Sequence, residues 1–344
     1  MVDHEFGGIQ IRHLFKIFGV NAASYVDRAR NGVSKVDLIE KFGVILGLKD
    51  INIDIPSGSI QVIMGLSGSG KSTLIRHINR LIDPTAGEVL VDGVDVTKMN
   101  KEQLREFRRH QTAMVFQKFA LLPHRNVLEN TIYGLEVQGV ARSKSTKIAM
   151  NWLERVGLKG FEGRYPNQLS GGMQQRVGLA RALTNNAPIL LMDEAYSALD
   201  PLIRVDMQTI LLDLQKEIKK TIVFITHDLD EALRLGDRIT ILRDGEVIQQ
   251  GTGQEIVLRP ADEYVTNFVR HVNRGRVIHV ETIMDGHSAA FGSDAIDIRA
   301  GTLLEHAASA LLASGKEHLV VTDERGNKLG SLSSQRLMSA MISA

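Results

Sequence analysis

The residues most able to do chemistry are Gly65-Leu66-Ser67-Gly68-Ser69-Gly70-Lys71-Ser72-Thr73. Glycines at this spacing let backbone N–H groups turn toward one anion, and a helix that follows would present its positive end to the same place. Lys71 supplies a point charge for β- and γ-phosphates, and Ser72 offers a hydroxyl to Mg2+. The string therefore predicts an ATP-binding phosphate loop, with Gly65 to Thr73 as its contacts. A second constellation is Ile189-Leu190-Leu191-Met192-Asp193-Glu194, an apolar run that ends in two acids. Asp193 at the end of a strand can reach the Mg2+ shell, and Glu194 can polarise a water in line with the γ-phosphate. Together they predict hydrolysis as well as binding.

Leu169-Ser170-Gly171-Gly172-Met173-Gln174-Gln175 offers another anion site. It combines a Ser hydroxyl as N-cap, glycine amides and a helix N-terminus, with Met173, Val177, Ala180 and Leu183 along the helix behind it.

These groups need elements to hold them. Asn52–Ile55 and Ser59–Met64 read as strands around a Pro-Ser-Gly turn, and Ser72–Leu81 reads as a helix. Glu88–Val91 with Val94–Val96 forms a hairpin over Asp92-Gly93. Residues 127–186 read as mostly helical, and Leu202–Lys220 as an amphipathic helix. Ile189–Met192 and Thr221–Ile225 read as buried strands, and Arg238–Arg243 with Glu246–Gln250 as a second hairpin. Apolar strands alternating with helices predict an α/β fold, its mainly parallel sheet covered on both faces. Ahead of this, Ala22–Arg30 and Ser34–Phe42 have helical spacing and predict a surface helical pair, the second capped by Ser34 with Asp37. Near the other end, Thr302 and Glu305 predict a capping box that opens a helix, followed by strands His318–Thr322 and Lys328–Leu332 and a helix from Ser334. Arg105, Arg108 and Arg109, and Lys216–Lys220, read as solvated helix ends.

Composition sets outer bounds. The chain has 344 residues, 43% hydrophobic and 24% charged, enough for two domains. A net charge of +1 gives no bulk attraction for nucleic acid, and none is expected as a partner. The absence of cysteine excludes disulfides, thiolate zinc sites and a cysteine nucleophile. No apolar run approaches the roughly 20 residues needed to cross a bilayer, so any service to a membrane would go through a partner.

Taken in order, the motifs resemble the ATP-binding-cassette (ABC) ATPases over about Gly43 to Gly275. Leu169–Gln175 is similar to their signature sequence. Gln117, after Ala113–Phe116, resembles the Q-loop glutamine. Ser197-Ala198-Leu199-Asp200 resembles the D-loop, and His227 the switch histidine. The resemblance implies a P-loop NTPase of ABC type with an antiparallel β subdomain and a helical signature subdomain. It also implies a homodimer in which Ser170 and Gly172 of one copy close over the nucleotide of the other. Gly171, Gln174 and Asp200 would join the cofactor-binding set. Glu194 would be the general base, His227 would contact the γ-phosphate and the attacking water, and Gln117 would link Mg2+ to a membrane partner. Phe42 stands near the spacing at which the family places a ring on the adenine.

A narrower resemblance comes from Asp193-Glu194-Ala195-Tyr196-Ser197-Ala198-Leu199-Asp200-Pro201, with Ala195 where many cassettes have proline. This string, with Met114–His124 and His227–Ala232, is similar to the ATP-binding subunits of glycine betaine, proline and choline importers. The implied partners are transmembrane permease subunits and, through them, a periplasmic or extracellular solute-binding protein. The implied location is the cytoplasmic face of the cell membrane. A histidine importer or a soluble non-transport ABC ATPase are the alternatives. Thr302–Ile342 resembles a single CBS module of α+β type. The expected division is therefore an N-terminal helical extension (1–42), an ATP-binding domain (43–274) and a C-terminal module (275–344).

Overall fold

The computed structural model describes residues 7–117, 119–286 and 295–342. The chain divides into two units, Met1–Gln250 and Gly251–Ala344. The first runs β1 (Gly8–Phe18), α1 (Val26–Arg30), α2 (Lys35–Phe42), β2 (Ile45–Pro56), β3 (Ile60–Met64), α3 (Lys71–Ile78), β4 (Ala86–Val91), β5 (Val94–Asp95), α4 (Lys101–His110) and β6 (Thr112–Phe116). It continues with α5 (Val127–Val137), α6 (Arg142–Arg155), α7 (Gly171–Thr184), β7 (Ile189–Asp193), α8 (Pro201–Ile218), β8 (Thr221–Thr226), α9 (Leu229–Leu235), β9 (Arg238–Arg243) and β10 (Glu246–Gly251).

Two sheets form in this unit. One has the order β10-β9-β3-β8-β7-β6, and the pairings from β9 through β6 are parallel. Its strands β3, β7 and β8 are buried along their whole length, as continuous apolar runs require when both faces are covered. The other sheet is antiparallel, in the order β2-β1-β4-β5. One core joins them: Ile9, Ile11 and Ile53 from the antiparallel sheet, Ile63, Leu191 and Ile225 from the parallel one, and Leu74, Ile75 and Ile78 of α3 between. The phosphate-loop helix is thus gripped from both sides.

β1 corrects the expected helical extension. Residues 1–42 include a full strand of the antiparallel sheet, and only α1 and α2 match the helical pair. The alternation of Ile9 and Ile11 breaks at His13, which takes φ 46° in a bulge; Leu14, out of phase, then joins their core, while Phe15 and Ile17 pack in a second one. A bulge of this kind hides a strand from period-two reading. Ser34 caps α2 as expected, its hydroxyl accepting from Asp37 N at 3.0 Å. The basic runs are less solvated than expected. Lys220 is buried with its ammonium on the Ala187 carbonyl at 2.5 Å, and Arg108 donates to the Asn79 carbonyl at 2.9 Å beyond the end of α3.

The second unit holds α10 (Gly253–Leu258), α11 (Glu263–Val269), α12 (Val280–Ile283), β11 (Ala295–Arg299), α13 (Leu304–Ser314), β12 (His318–Thr322), β13 (Lys328–Ser333) and α14 (Ser334–Ile342). Its sheet runs β11-β12-β13, parallel then antiparallel, consistent with a CBS-like module. The expected capping box at Thr302 is corrected. α13 starts from Leu303, which a bridge to His279 keeps extended and which makes no side-chain cap. The Thr302 hydroxyl instead donates to the Arg299 carbonyl at 2.7 Å, and Glu305 pairs with Arg276 at 3.1 Å. Among the described residues no helix is long and apolar enough to cross a membrane.

Candidate active site

β3 delivers the chain to Gly65, and the loop closes at Gly70, where φ is 101°. Side chains are excluded here by space as well as by backbone. A Cβ on Gly65 would lie 2.2 Å from the Leu242 carbonyl oxygen, and one on Gly70 would lie 2.8 Å from that of Gly47. The loop is therefore bare main chain hemmed in by β9 and β2. The turn between β9 and β10 adds a clasp, with Gly245 N donating to the Ser69 carbonyl at 3.1 Å. α3 has no side-chain N-cap, so no side chain of its own caps its first amides. Ser69 Oγ is buried with no hydrogen-bond partner, an orphan that a phosphate oxygen would satisfy. The loop thus fits an anion.

Lys71 is 4% exposed, and its ammonium donates to the carbonyls of Gly65 at 2.8 Å and Leu66 at 3.0 Å. Burial lowers its pKa, while Glu194 and Asp193 push the other way.

The remaining groups converge because of strand register. Phe116 pairs with Asp193, Asp193 with Ile225, and Thr226 with Met64. The chain therefore leaves four parallel strands side by side, at Gln117, Glu194, His227 and Gly65, along the carboxyl end of the sheet where α/β folds bind ligands. Ser72 Oγ donates to Asp193 Oδ1 at 2.7 Å, and Arg76 pairs with the other oxygen at 3.2 Å. Glu194 sits in left-handed backbone, φ 46°. Its carboxylate lies 3.8 Å from Lys71 Nζ and 3.8 Å from His227 Nδ1, and it accepts from Gln117 Nε2 at 3.2 Å. Gln117 also reaches Ser197 Oγ at 3.2 Å. Lys71, Ser72, Asp193, Glu194, Gln117 and His227 are thus one cluster. Among the described residues no group of three or more His, Cys, Asp or Glu could hold a metal by itself. Ser72 and Asp193 suit a hard cation that takes its other oxygens from phosphate and water.

The signature string stands elsewhere in the chain. Ser170 is exposed and caps α7 by accepting from Met173 N at 3.3 Å. Gly171 is exposed, and a Cβ on Gly172 would meet Ile203 at 2.7 Å. Gln174 is spent on its own turn, donating to the Pro166 carbonyl at 3.0 Å and that of Leu169 at 3.3 Å. Asp200 is exposed and caps α8 by accepting from Ile203 N at 3.1 Å.

Phe42 is half-buried, 5.3 Å from the Tyr25 ring and under the Arg28 guanidinium at 4.5 Å. Those contacts serve the insertion between β1 and β2. Phe18, at the end of β1, is 40% exposed, and a Cβ on Gly47 would lie 2.8 Å from its ring. Since Gly47 abuts Gly70, Phe18 stands near the loop, with the Lys16 ammonium 5.0 Å from the centre of its ring. Sequence reading missed it because β1 was missed; the signal was a Phe-Gly pair closing a run of alternating apolar residues.

The family model described as ABC transporter matches residues 48–197. Glycine betaine transport ATP-binding protein OpuAA of Bacillus subtilis (strain 168) is 55% identical over 82% of this chain and 68% of that protein. The chain belongs to the ABC transporter ATP-binding proteins. As an ABC ATPase it binds and hydrolyses ATP. Another ABC relative, trimethylamine N-oxide transport system ATP-binding protein TmoW of Pelagibacter ubique (strain HTCC1062), is 42% identical over 97% of both chains. Among solved structures, the dimeric bacterial ABC transporter cassette MJ0796 superposes with a TM-score of 0.61 at 35% identity, over 71% of this chain and 98% of that one. A post-hydrolysis form of that cassette, bound to ADP and Pi, matches with the same TM-score of 0.61.

Proposed function

We propose that this chain is the ATP-hydrolysing subunit of an importer for a small N-methylated ammonium solute, glycine betaine being the first candidate. It would work as a homodimer on the cytoplasmic face of the membrane beneath permease subunits fed by a solute-binding protein. The observation that carries the chemistry is the meeting of Gln117, Asp193, Glu194 and His227 beside Lys71 and Ser72. Lys71 would turn from the loop carbonyls to the β- and γ-phosphates. Ser72, Asp193 and Gln117 would hold Mg2+, which supplies charge neutralisation at the phosphates. Glu194 would accept the proton of the attacking water while His227 orients it against the γ-phosphate. Ser170 and Gly172 of a second copy would close the site, in keeping with the exposure of Ser170 and with the dimeric cassette among the similar structures. Phe18, in place of Phe42, would carry the adenine.

The solute class rests on the relatives' names. OpuAA is named for glycine betaine, and TmoW, which aligns over 97% of both chains, for trimethylamine N-oxide. The end-to-end match favours trimethylamine N-oxide as a second reading. Uptake of labelled glycine betaine, with trimethylamine N-oxide, choline, proline and histidine as competitors, in vesicles holding the full transporter decides among them. For the chemistry, Glu194→Gln keeps ATP binding and the closed dimer accumulates while turnover collapses. Near-normal hydrolysis by that variant removes Glu194 from the base role.

A further inference from the structure

Ser72 and Arg76 stand one turn apart on α3, so their side chains share the face that meets the end of β7. They divide Asp193 between them. The Ser72 hydroxyl donates to Oδ1 at 2.7 Å, and the Arg76 guanidinium donates to Oδ2 at 3.2 Å. The Asp193 side chain is 6% exposed, whereas that of Arg76 is 43% exposed. A carboxylate buried to that degree needs a counter-charge, and Arg76 supplies it from the solvent side. Among the described residues Arg76 makes no other ion pair.

The neighbouring acid is served separately, with Lys71 Nζ 3.8 Å from Glu194 Oε1. Each acid of the site thus has its own cation, and the two cations are placed differently. Lys71 lies at the mouth of the loop, on the carbonyls of Gly65 and Leu66, where phosphate would draw it away. Arg76 lies more than a turn further along α3, and it holds the carboxylate oxygen that Ser72 leaves alone. Once Ser72 and Asp193 turn to a shared cation, their hydrogen bond at Oδ1 is given up, while nothing in that exchange displaces Arg76 from Oδ2.

We propose that Arg76 is a positioning residue that acts through Asp193: it holds the carboxylate toward Ser72 in the metal-free site and, by staying on Oδ2, limits how tightly the loaded site grips Mg2+. This rests on Ser72 and Asp193 being Mg2+ ligands. In the metal-free chain the guanidinium takes the place of the missing positive charge. In the loaded site the same guanidinium shares the carboxylate and repels a divalent ion beside it. Asp193 is thereby kept in order before the nucleotide arrives, and the protein's own hold on the metal is kept loose afterwards.

The test is equilibrium binding of ADP to the full chain, once in EDTA and once in saturating MgCl2. The gain in affinity between the two conditions measures the coupling of nucleotide and metal, and any effect of Arg76 on the nucleotide alone cancels in it. Arg76→Gln, which keeps a donor for Oδ2 without the charge, raises that gain about tenfold, the size of one outer-shell contribution. Arg76→Lys keeps the charge and stays within about twofold of the parent. Melting temperatures read the same coupling from the other side. In EDTA Arg76→Gln melts below the parent, because a buried carboxylate has lost its counter-charge, and saturating Mg2+ with ADP narrows the gap. For Arg76→Gln, a gain within about twofold of the parent or a smaller one overturns the proposal. So does an Arg76→Lys result equal to that of Arg76→Gln, the absence of a melting gap in EDTA, or a gap that Mg2+ and ADP leave unchanged. If Arg76→Gln does not fold, Arg76→Met decides by the same measurements. Asp193→Asn is the control: if the gain from Mg2+ survives in it, the assignment of the metal ligand has failed. If the gain is lost there while Arg76→Gln matches the parent, the role of Arg76 alone has failed.

Discussion

His77 makes the stability of the phosphate-loop helix depend on pH in a way that can be worked out. It lies on α3, 1% exposed, with Nδ1 donating to the Thr73 carbonyl at 2.7 Å and Nε2 buried without a partner. Burial lowers its pKa from 6.5 to about 4, with Thr73 opposing and Lys16 and Asp83 acting from the neighbouring segments. The folded chain therefore refuses a proton that the unfolded chain accepts below pH 6.5. Stability contributed by the neutral ring is complete above that value and is lost as pH falls toward about 4, by roughly 3 kcal/mol in all. Below about 4 both states carry the proton and the loss stops. The perturbation is His77→Leu, which removes both the titration and the orphaned nitrogen. Urea unfolding followed by the fluorescence of Trp152, the chain's one tryptophan, reads the first unit at pH values from 7.5 to 4.5. The parent should lose about 2.5 kcal/mol more than His77→Leu over that range, since carboxylate titrations common to both cancel. Parallel pH profiles for the two proteins would refute the argument.

The two aromatic candidates can be separated directly. Phe18→Ala raises the KM for ATP about tenfold, the worth of one stacked base, whereas Phe42→Ala leaves KM alone and lowers the melting temperature through lost packing with Tyr25. Lys71→Ala abolishes nucleotide binding in equilibrium dialysis; retained affinity would show that the ammonium is needed only to seat the loop. Leu122 lines a cavity of about 360 Å3 beside β6; if a permease segment seats there, Leu122→Glu uncouples solute uptake while ATP binding persists, and uptake at the parent rate would count against such seating.

Much of the parallel sheet could be read from the chain because its strands are short apolar runs with no other explanation. Ile189–Met192 and Thr221–Ile225 had to be buried on both faces, and their ends placed Asp193 and His227 at one rim. The loop at Gly65 was legible because few strings put Gly, Lys and Ser at that spacing behind an apolar strand. β1 was not legible, since its partners β2 and β4 lie far along the chain and its bulge at His13 breaks the pattern. That omission left Phe42 as the expected ring, and Phe42 packs with Tyr25 and Arg28. Thr302 and Glu305 carried a capping signature, but a long-range bridge to His279 won over the local preference.

The contact of Gly47 with the loop reaches further than the aromatic beside it. The Gly47 carbonyl is the nearest obstacle to a Cβ at Gly70, 2.8 Å away, and equally to one at Gly245, 2.7 Å away. Three segments from distant parts of the chain thus touch through bare main chain at one point. In a mutational library these positions would behave as a single heritable unit, none acquiring a side chain unless the others retreat. A change that looks remote from the nucleotide, in the turn between β9 and β10, would then be felt first as a misshapen cradle.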